Sequence, residues 1–161
     1  MKMRGIVISL LATAWLAPAA LAQTPLRALP PEGFKYLSAK DVEALTDKPG
    51  PGAKTSFPVD HENYNVEYAQ RSDKGNEPEV HTYRTHYIHV LAGEATLVYG
   101  GTVTNARETS PGQIRGDGIT GGTSLVVRTG DFLQIPAGMP HLFTVSSPTV
   151  KFRYLVFNAR Q

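Results

Sequence analysis

Three of the five histidines in this 161-residue chain, His81, His86 and His89, lie close together in the stretch EVHTYRTHYIH, Glu79 to His89. Imidazole nitrogen and carboxylate oxygen are donors for divalent metal ions, so the stretch either feeds one metal site or is a polar strand carrying scattered histidines. Side chains alternate faces along a strand, which puts Glu79 and His81 on the same side. His86 is five positions past His81, an odd step that would place it on the opposite face of an unbroken strand. A turn or bulge within TYRT is required to return it. With that turn, His86, Ile88 and Val90 face the interior while Tyr87 and His89 face out, and His89 is left out of the candidate set. His61, in DHENY, precedes these strands and reads as a loop residue.

The elements that must hold these side chains are short and β-rich. From Thr55 onward, YNVEYAQR, YIHVLAGEATLVYGG, TSLVVRTGDFLQIP, HLFTVSS and VKFRYLVFNA are segments of Val, Tyr, Phe, Thr and Ile separated by Gly, Pro, Asn and Ser. Many short strands without intervening helical periodicity predict an all-β sandwich or barrel. One helix is expected ahead of them in SAKDVEAL, with Ser38 as N-cap and Asp41 three residues on, ended by TDKPGPG. Between Tyr99 and Thr123 the text changes character. GGTVTNARETSPGQIRGDGITGG carries seven glycines in 23 residues together with Arg107, Arg115 and Asp117, too long for a hairpin turn. It reads equally as a flap over a pocket or as an extended hairpin arm.

The N-terminus has the pattern of a secretory signal. Lys2 and Arg4 precede an apolar run from Ile6 to Trp15, and ALAQ offers a small-x-small cleavage site after Ala22. The run is short for a membrane span, and no later stretch approaches the roughly 20 apolar residues such a helix needs. The expected organisation is a signal peptide over residues 1–22, an arm with a short helix over 23–54 and one β-barrel domain over 55–161. The protein is expected in the periplasm or secreted, and free of the membrane after cleavage. Losing Lys2 and Arg4 lowers the basic count from 16 to 14, equal to the 14 acidic residues, so nothing draws the mature chain electrostatically to nucleic acid. There is no cysteine. Disulfides, thiolate zinc sites and iron–sulfur clusters are therefore excluded, and any metal must be held by nitrogen and oxygen.

GDFLQIPAGMPH, Gly130 to His141, resembles the second motif of the cupin superfamily at every spacing: Gly130, five residues, Pro136, one residue, Gly138, two residues, His141. The first cupin motif has two histidines one residue apart, then a glutamate and, six residues further, a glycine. Here Gly93 in HVLAGEA takes the glycine position, which puts His86 at the glutamate position, His81 at the second histidine and Glu79 at the first. The donor types are kept, but Glu79 and His86 exchange places. The similarity runs from about Tyr64 to Val156. One departure is Val145, where the family usually has asparagine.

The resemblance implies a cupin double-stranded β-helix, or jelly-roll barrel, preceded by the short helix. It also implies one divalent metal ion (Mn, Fe, Ni or Zn) held by Glu79, His81, His86 and His141, and pairing of two copies through barrel edges. Three neutral imidazoles and one carboxylate leave a six-coordinate ion two positions for water or a chelating small molecule. Such a site suits a lyase, isomerase or dioxygenase acting on a small oxygenated substrate. The alternatives are a barrel that binds a small ligand or metal without turnover, and an assembly protein with a vestigial site. Glu79 is also the candidate base. Tyr83, Arg84, Gln134 and Phe143 are candidates for the substrate pocket, Phe143 sharing the face of His141 with Val145 by parity.

Overall fold

Alternating side chains on short strands can bury one face each only by stacking sheets, and the computed structural model shows two antiparallel sheets packed in this way. It describes residues 34–46, 53–72, 76–147 and 151–161. Residues 1–33 are not among them, so the expected signal peptide over residues 1–22 and the first part of the expected arm, residues 23–33, lie outside the described residues. From Tyr36 to Gln161 the chain forms one compact unit.

The helix α1 spans Ala39–Thr46. Its N-terminus closes reciprocally, with the Asp41 amide donating to Ser38 Oγ at 3.3 Å and the Ser38 amide donating to the Asp41 carboxylate at 3.0 Å. The hydroxyl of Ser38 also donates to that carboxylate, and these hydrogen bonds hold Asp41 below its ordinary pKa. The Leu45 carbonyl accepts a hydrogen bond from Ser56 Oγ at 3.0 Å, so the helix belongs to the barrel unit rather than to a separate arm.

Thirteen strands follow among the described residues: β1 Ala53–Asp60, β2 Tyr64–Arg71, β3 Glu79–His81, β4 Arg84–Ala92, β5 Glu94–Tyr99, β6 Thr102–Thr104, β7 Arg107–Ser110, β8 Gln113–Arg115, β9 Gly118–Thr120, β10 Thr123–Arg128, β11 Phe132–Ile135, β12 His141–Thr144 and β13 Phe152–Arg160. One sheet has the order β1-β2-β13-β4-β11, the other β10-β5-β12-β3-β8-β7, and β6 pairs with β9 alone. Strands distant in sequence are neighbours in both large sheets, as a jelly roll requires. Gly93, between β4 and β5, has φ +80°, and a Cβ there would collide with the Lys151 carbonyl. Only glycine turns the chain at that point without strain.

Between the sheets Ile88, Val90, Val127, Ile135, Phe143, Phe152, Tyr154 and Val156 form the buried core. Phe143, Phe152 and Tyr154 pack as an aromatic trio with ring centroids 5.1–5.6 Å apart. On the β4 side of the core the inward face turns polar. Ile88 and Val90 give way to His86 and then Arg84 along the same strand face.

The glycine-rich segment is built structure rather than a bare loop. It folds into β6 to β9, and β8 joins β3 with Glu79 opposite Arg115, Val80 opposite Ile114 and His81 opposite Gln113. The insertion is thereby stitched to the strand that carries the first two candidate ligands.

Candidate metal centre

Three strands bring the histidines together. β3 ends at His81, residues Thr82 and Tyr83 form a turn, and β4 starts at Arg84. The break resets the alternation, so that His81 and His86 are both buried although five residues apart, while His89 is exposed. β12 supplies His141, directly opposite Glu79 on β3. The turn before it is fixed by two of its amides, Gly138 donating to the His81 carbonyl at 2.9 Å and Ala137 donating to the Thr85 side-chain Oγ1 at 3.2 Å. The glycine–proline segment that spaces the motif therefore sets His141 against the other two histidines.

The donor atoms of His81, His86 and His141 all lie within 4.8 Å of one another. His81, His86 and His141 are 5%, 7% and 3% exposed. Two of the rings are oriented through Nδ1. His141 Nδ1 lies 3.0 Å from the Met139 carbonyl, which can only accept, so this nitrogen carries the proton and Nε2 presents its lone pair. His81 Nδ1 is paired with Gln113 Oε1, which leaves its Nε2 inward as well. His86 Nε2 is buried with no hydrogen-bond partner among the described residues.

Glu79 meets two members of this triad. Its Oε2 lies 3.3 Å from His81 Nε2 and 3.6 Å from His141 Nε2, while Oε1 is 3.0 Å from both Arg71 Nη2 and Arg115 Nη1. Carboxylate oxygen facing imidazole lone pairs is repulsive unless a cation lies among them. With the unpartnered His86 Nε2, these contacts make a nitrogen-rich, partly anionic donor set that fits a divalent ion, with the three histidines and Glu79 as the residues that would hold it. Burial alone would raise the Glu79 pKa, but the buried Arg71 guanidinium outweighs it and holds the carboxyl well below its ordinary value. Burial, reinforced by the neighbouring His81 and His141, pushes His86 down to about 2, and burial likewise lowers His81. Neutral imidazole is the form that ligates metal.

A cavity of about 240 Å³ opens beside the triad, lined also by Glu67, Arg71, Arg84, Gln113, Arg115 and the apolar Ile88, Phe143, Tyr154 and Val156. Of the four pocket candidates, Arg84 and Phe143 line it. Tyr83 and Gln134 do not: Tyr83, 60% exposed in the β3–β4 turn, borders a separate outer depression, and Gln134, opposite Tyr87 in the β4–β11 pair, is exposed. Parity explains Gln134, which has its side chain on the opposite face of β11 from the buried Ile135.

Residues not anticipated are Glu67, Arg71, Asn65 and Asn158. In β2, Asn65, Glu67, Ala69 and Arg71 share the inner face. Arg71, fully enclosed, donates from Nε to Tyr154 Oη at 2.8 Å and from Nη2 to Glu79 at 3.0 Å, with its guanidinium 5.5 Å from the Phe143 ring centroid. Burial pushes Tyr154 up to about 12. Asn158 Nδ2 donates to Asn65 Oδ1 at 2.6 Å and to Glu67 Oε2 at 3.2 Å. Glu67 is nevertheless raised above its ordinary pKa, because desolvation exceeds the help from Asn158.

No family model and no curated protein matches the chain. Solved structures do. A Klebsiella pneumoniae protein with a double-stranded β-helix domain superimposes with TM-score 0.58 at 16% identity, over 79% of this chain and 90% of that one. The polyketide cyclase RemF from Streptomyces resistomycificus gives 0.52 at 24% identity over 80% of each chain. The iron(II) form of HppE gives 0.50 at 13% identity over 66% of this chain and 50% of that one. The fold is the cupin double-stranded β-helix. Within this barrel the triad combines one histidine after the β3–β4 break, one before it and one from β12.

Proposed function

We propose that this cupin is an exported metal-dependent enzyme that acts on a small oxygenated molecule held between the His81–His86–His141 triad and the cavity floor. The observation that carries the reading is the unpartnered, buried Nε2 of His86 beside two other inward-facing imidazoles. A desolvated acceptor without a partner costs roughly 1–3 kcal/mol, and a ligated ion removes that cost. A divalent ion there supplies Lewis-acid polarisation of chelating substrate oxygens.

The remaining chemistry belongs to the chain's own side chains. Gln113 and the Met139 carbonyl fix the two ring orientations. Glu79, held ionised by Arg71 and Arg115, is a weak base and serves as a donor to the ion and as an electrostatic anchor. The proton-transfer role assigned from sequence to Glu79 suits Glu67 better: it faces the same cavity, and its raised pKa brings it nearer the neutral range where an acid–base group works. Phe143, Ile88 and Val156 give the cavity an apolar wall beside the triad. At about 240 Å³ the cavity is below the usual range for drug-sized ligands, which favours a compact substrate.

Metal analysis tests the reading. One divalent ion per chain is expected in wild type, with loss in His81→Ala, His86→Ala and His141→Ala; a wild type that cannot be loaded overturns it. Turnover of hydroxy-carbonyl or catechol-like compounds, assayed with and without oxygen, separates an enzyme from a binding module. Export is supported by the n-region, apolar run and ALAQ site. N-terminal sequencing of protein from the extracytoplasmic fraction is expected to start at Gln23; an intact Met1 there overturns cleavage, and protein found wholly in the cytoplasmic fraction overturns export.

A further inference from the structure

The charges lining the cavity do not balance. Three guanidiniums, Arg71, Arg84 and Arg115, face two carboxylates, Glu67 and Glu79, with three imidazoles between them. Glu79 is shared by Arg71 and Arg115 at 3.0 Å each. Arg84 has no ion pair or hydrogen bond to its side chain among the described residues. Its nearby counterpart Glu67 is engaged by Asn158 instead. The cavity thus carries one excess positive charge by itself and three with a divalent ion bound.

Arg84 also occupies a defined position relative to the metal centre. It opens β4 two residues before His86, so both side chains project from the same strand face, about 6.6 Å apart along the strand. It lines both the inner cavity and the outer depression formed with Glu62, Asn63, Pro111, Gln113, Arg160 and others, which places it at the entrance. The other arginine there, Arg160, is already paired with Asp60 at 2.6 Å. An uncommitted guanidinium beside a partly desolvated, positively charged chamber matches a carboxylate, which its planar fork can grip with two parallel hydrogen bonds.

We infer that the substrate carries a carboxylate remote from its metal-chelating oxygens, and that Arg84 at the cavity entrance receives it. The inference rests on the metal-dependent reading above and adds the substrate class to it. The cavity of about 240 Å³ limits the molecule to a compact acid with its chelating oxygens at one end and its free carboxylate at the other.

Cobalt(II)-loaded protein tests this with three probes that share a 2-hydroxy-acid chelate: malate, which has a second, distal carboxylate; its 4-amide, which has a neutral group there; and lactate, which has neither. Binding is read from the cobalt absorption spectrum and by calorimetry. Malate is expected to bind at least tenfold tighter than lactate and the 4-amide. Arg84→Met is expected to bring malate down to the level of lactate, and Arg84→Lys to retain part of the preference. Cobalt stoichiometry measured on each variant reports whether the site is intact, and a wild type that takes up no cobalt overturns the metal reading and this inference together. Equal affinities for the three probes in a wild type holding one cobalt, or a malate preference that survives Arg84→Met in a loaded variant, overturn the inference alone.

Discussion

Glu79 connects two charge systems, the histidine triad through Oε2 and the buried Arg71 through Oε1. Removing its charge therefore affects both. Glu79→Gln leaves Arg71 a buried cation without its carboxylate, a loss that typically costs about 3–5 kcal/mol when one partner of a buried pair is deleted. A urea denaturation midpoint well below wild type, with metal affinity also reduced, is the expected result. Gln113→Ala acts on the site alone. Freed from its Nδ1 partner, the His81 ring loses its fixed orientation, and metal affinity is expected to fall about 10–100-fold, measured by chelator competition. The histidines were legible in the sequence because imidazoles near a glycine–proline motif are rare and chemically loud. Glu67 and Arg71 were not, because YNVEYAQR alternates tyrosine and valine with polar residues, and the ordinary rule sends the apolar set inward. Here the inner face is the one with Asn65, Glu67 and Arg71. The signal that would have found them is the pairing of that strand with β13, which places Glu67 opposite Val156 and Asn65 opposite Asn158.

At the scale of elements, the decisive event is the two-residue turn between β3 and β4. The odd spacing of His81 and His86 demanded a break in TYRT, and Thr82 and Tyr83 supply it. The hairpin turns were equally legible, since glycine marks them for a stereochemical reason. Gly93→Ala combines a left-handed backbone, φ +80°, with a Cβ that collides with the Lys151 carbonyl. A destabilisation of about 1–3 kcal/mol is expected, seen as a lowered denaturation midpoint with an unchanged slope. The glycine-rich insertion was harder to read. Its strands β6, β8 and β9 are three residues long, too short for any period to show, and beyond its neighbour β7, β8 joins the sheet by pairing with β3 more than thirty residues earlier. Sequence pattern sees local alternation. It does not see which distant edge a short strand will join.

Across the whole molecule, the buried polar groups make stability depend on pH. His86, pushed down to about 2, and His81, also lowered, take up protons more readily unfolded than folded. Their contribution is therefore present above the unfolded value near 6.5 and is lost as pH falls below it, at a limiting slope of about 1.4 kcal/mol per pH unit for each group. Glu79, held well below its ordinary value, adds a further loss below about 4.5. Glu67 has the opposite sign: its raised pKa costs stability when it is ionised at neutral pH, and acid relieves that cost. Thermal midpoints of metal-free protein are thus expected to fall steadily between pH 7 and pH 5, with Glu67→Gln raising the midpoint at pH 8 more than at pH 4. A divalent ion that binds only the folded state adds about 4 kcal/mol at a thousandfold excess over its Kd. His86 stays unprotonated in the folded protein throughout the range from pH 7.5 to pH 5, so its nitrogen remains open to the ion there. Loaded protein is therefore expected to keep a higher thermal midpoint than metal-free protein at both ends of that range, and equal midpoints at pH 7.5 would mean that no ion binds the folded state.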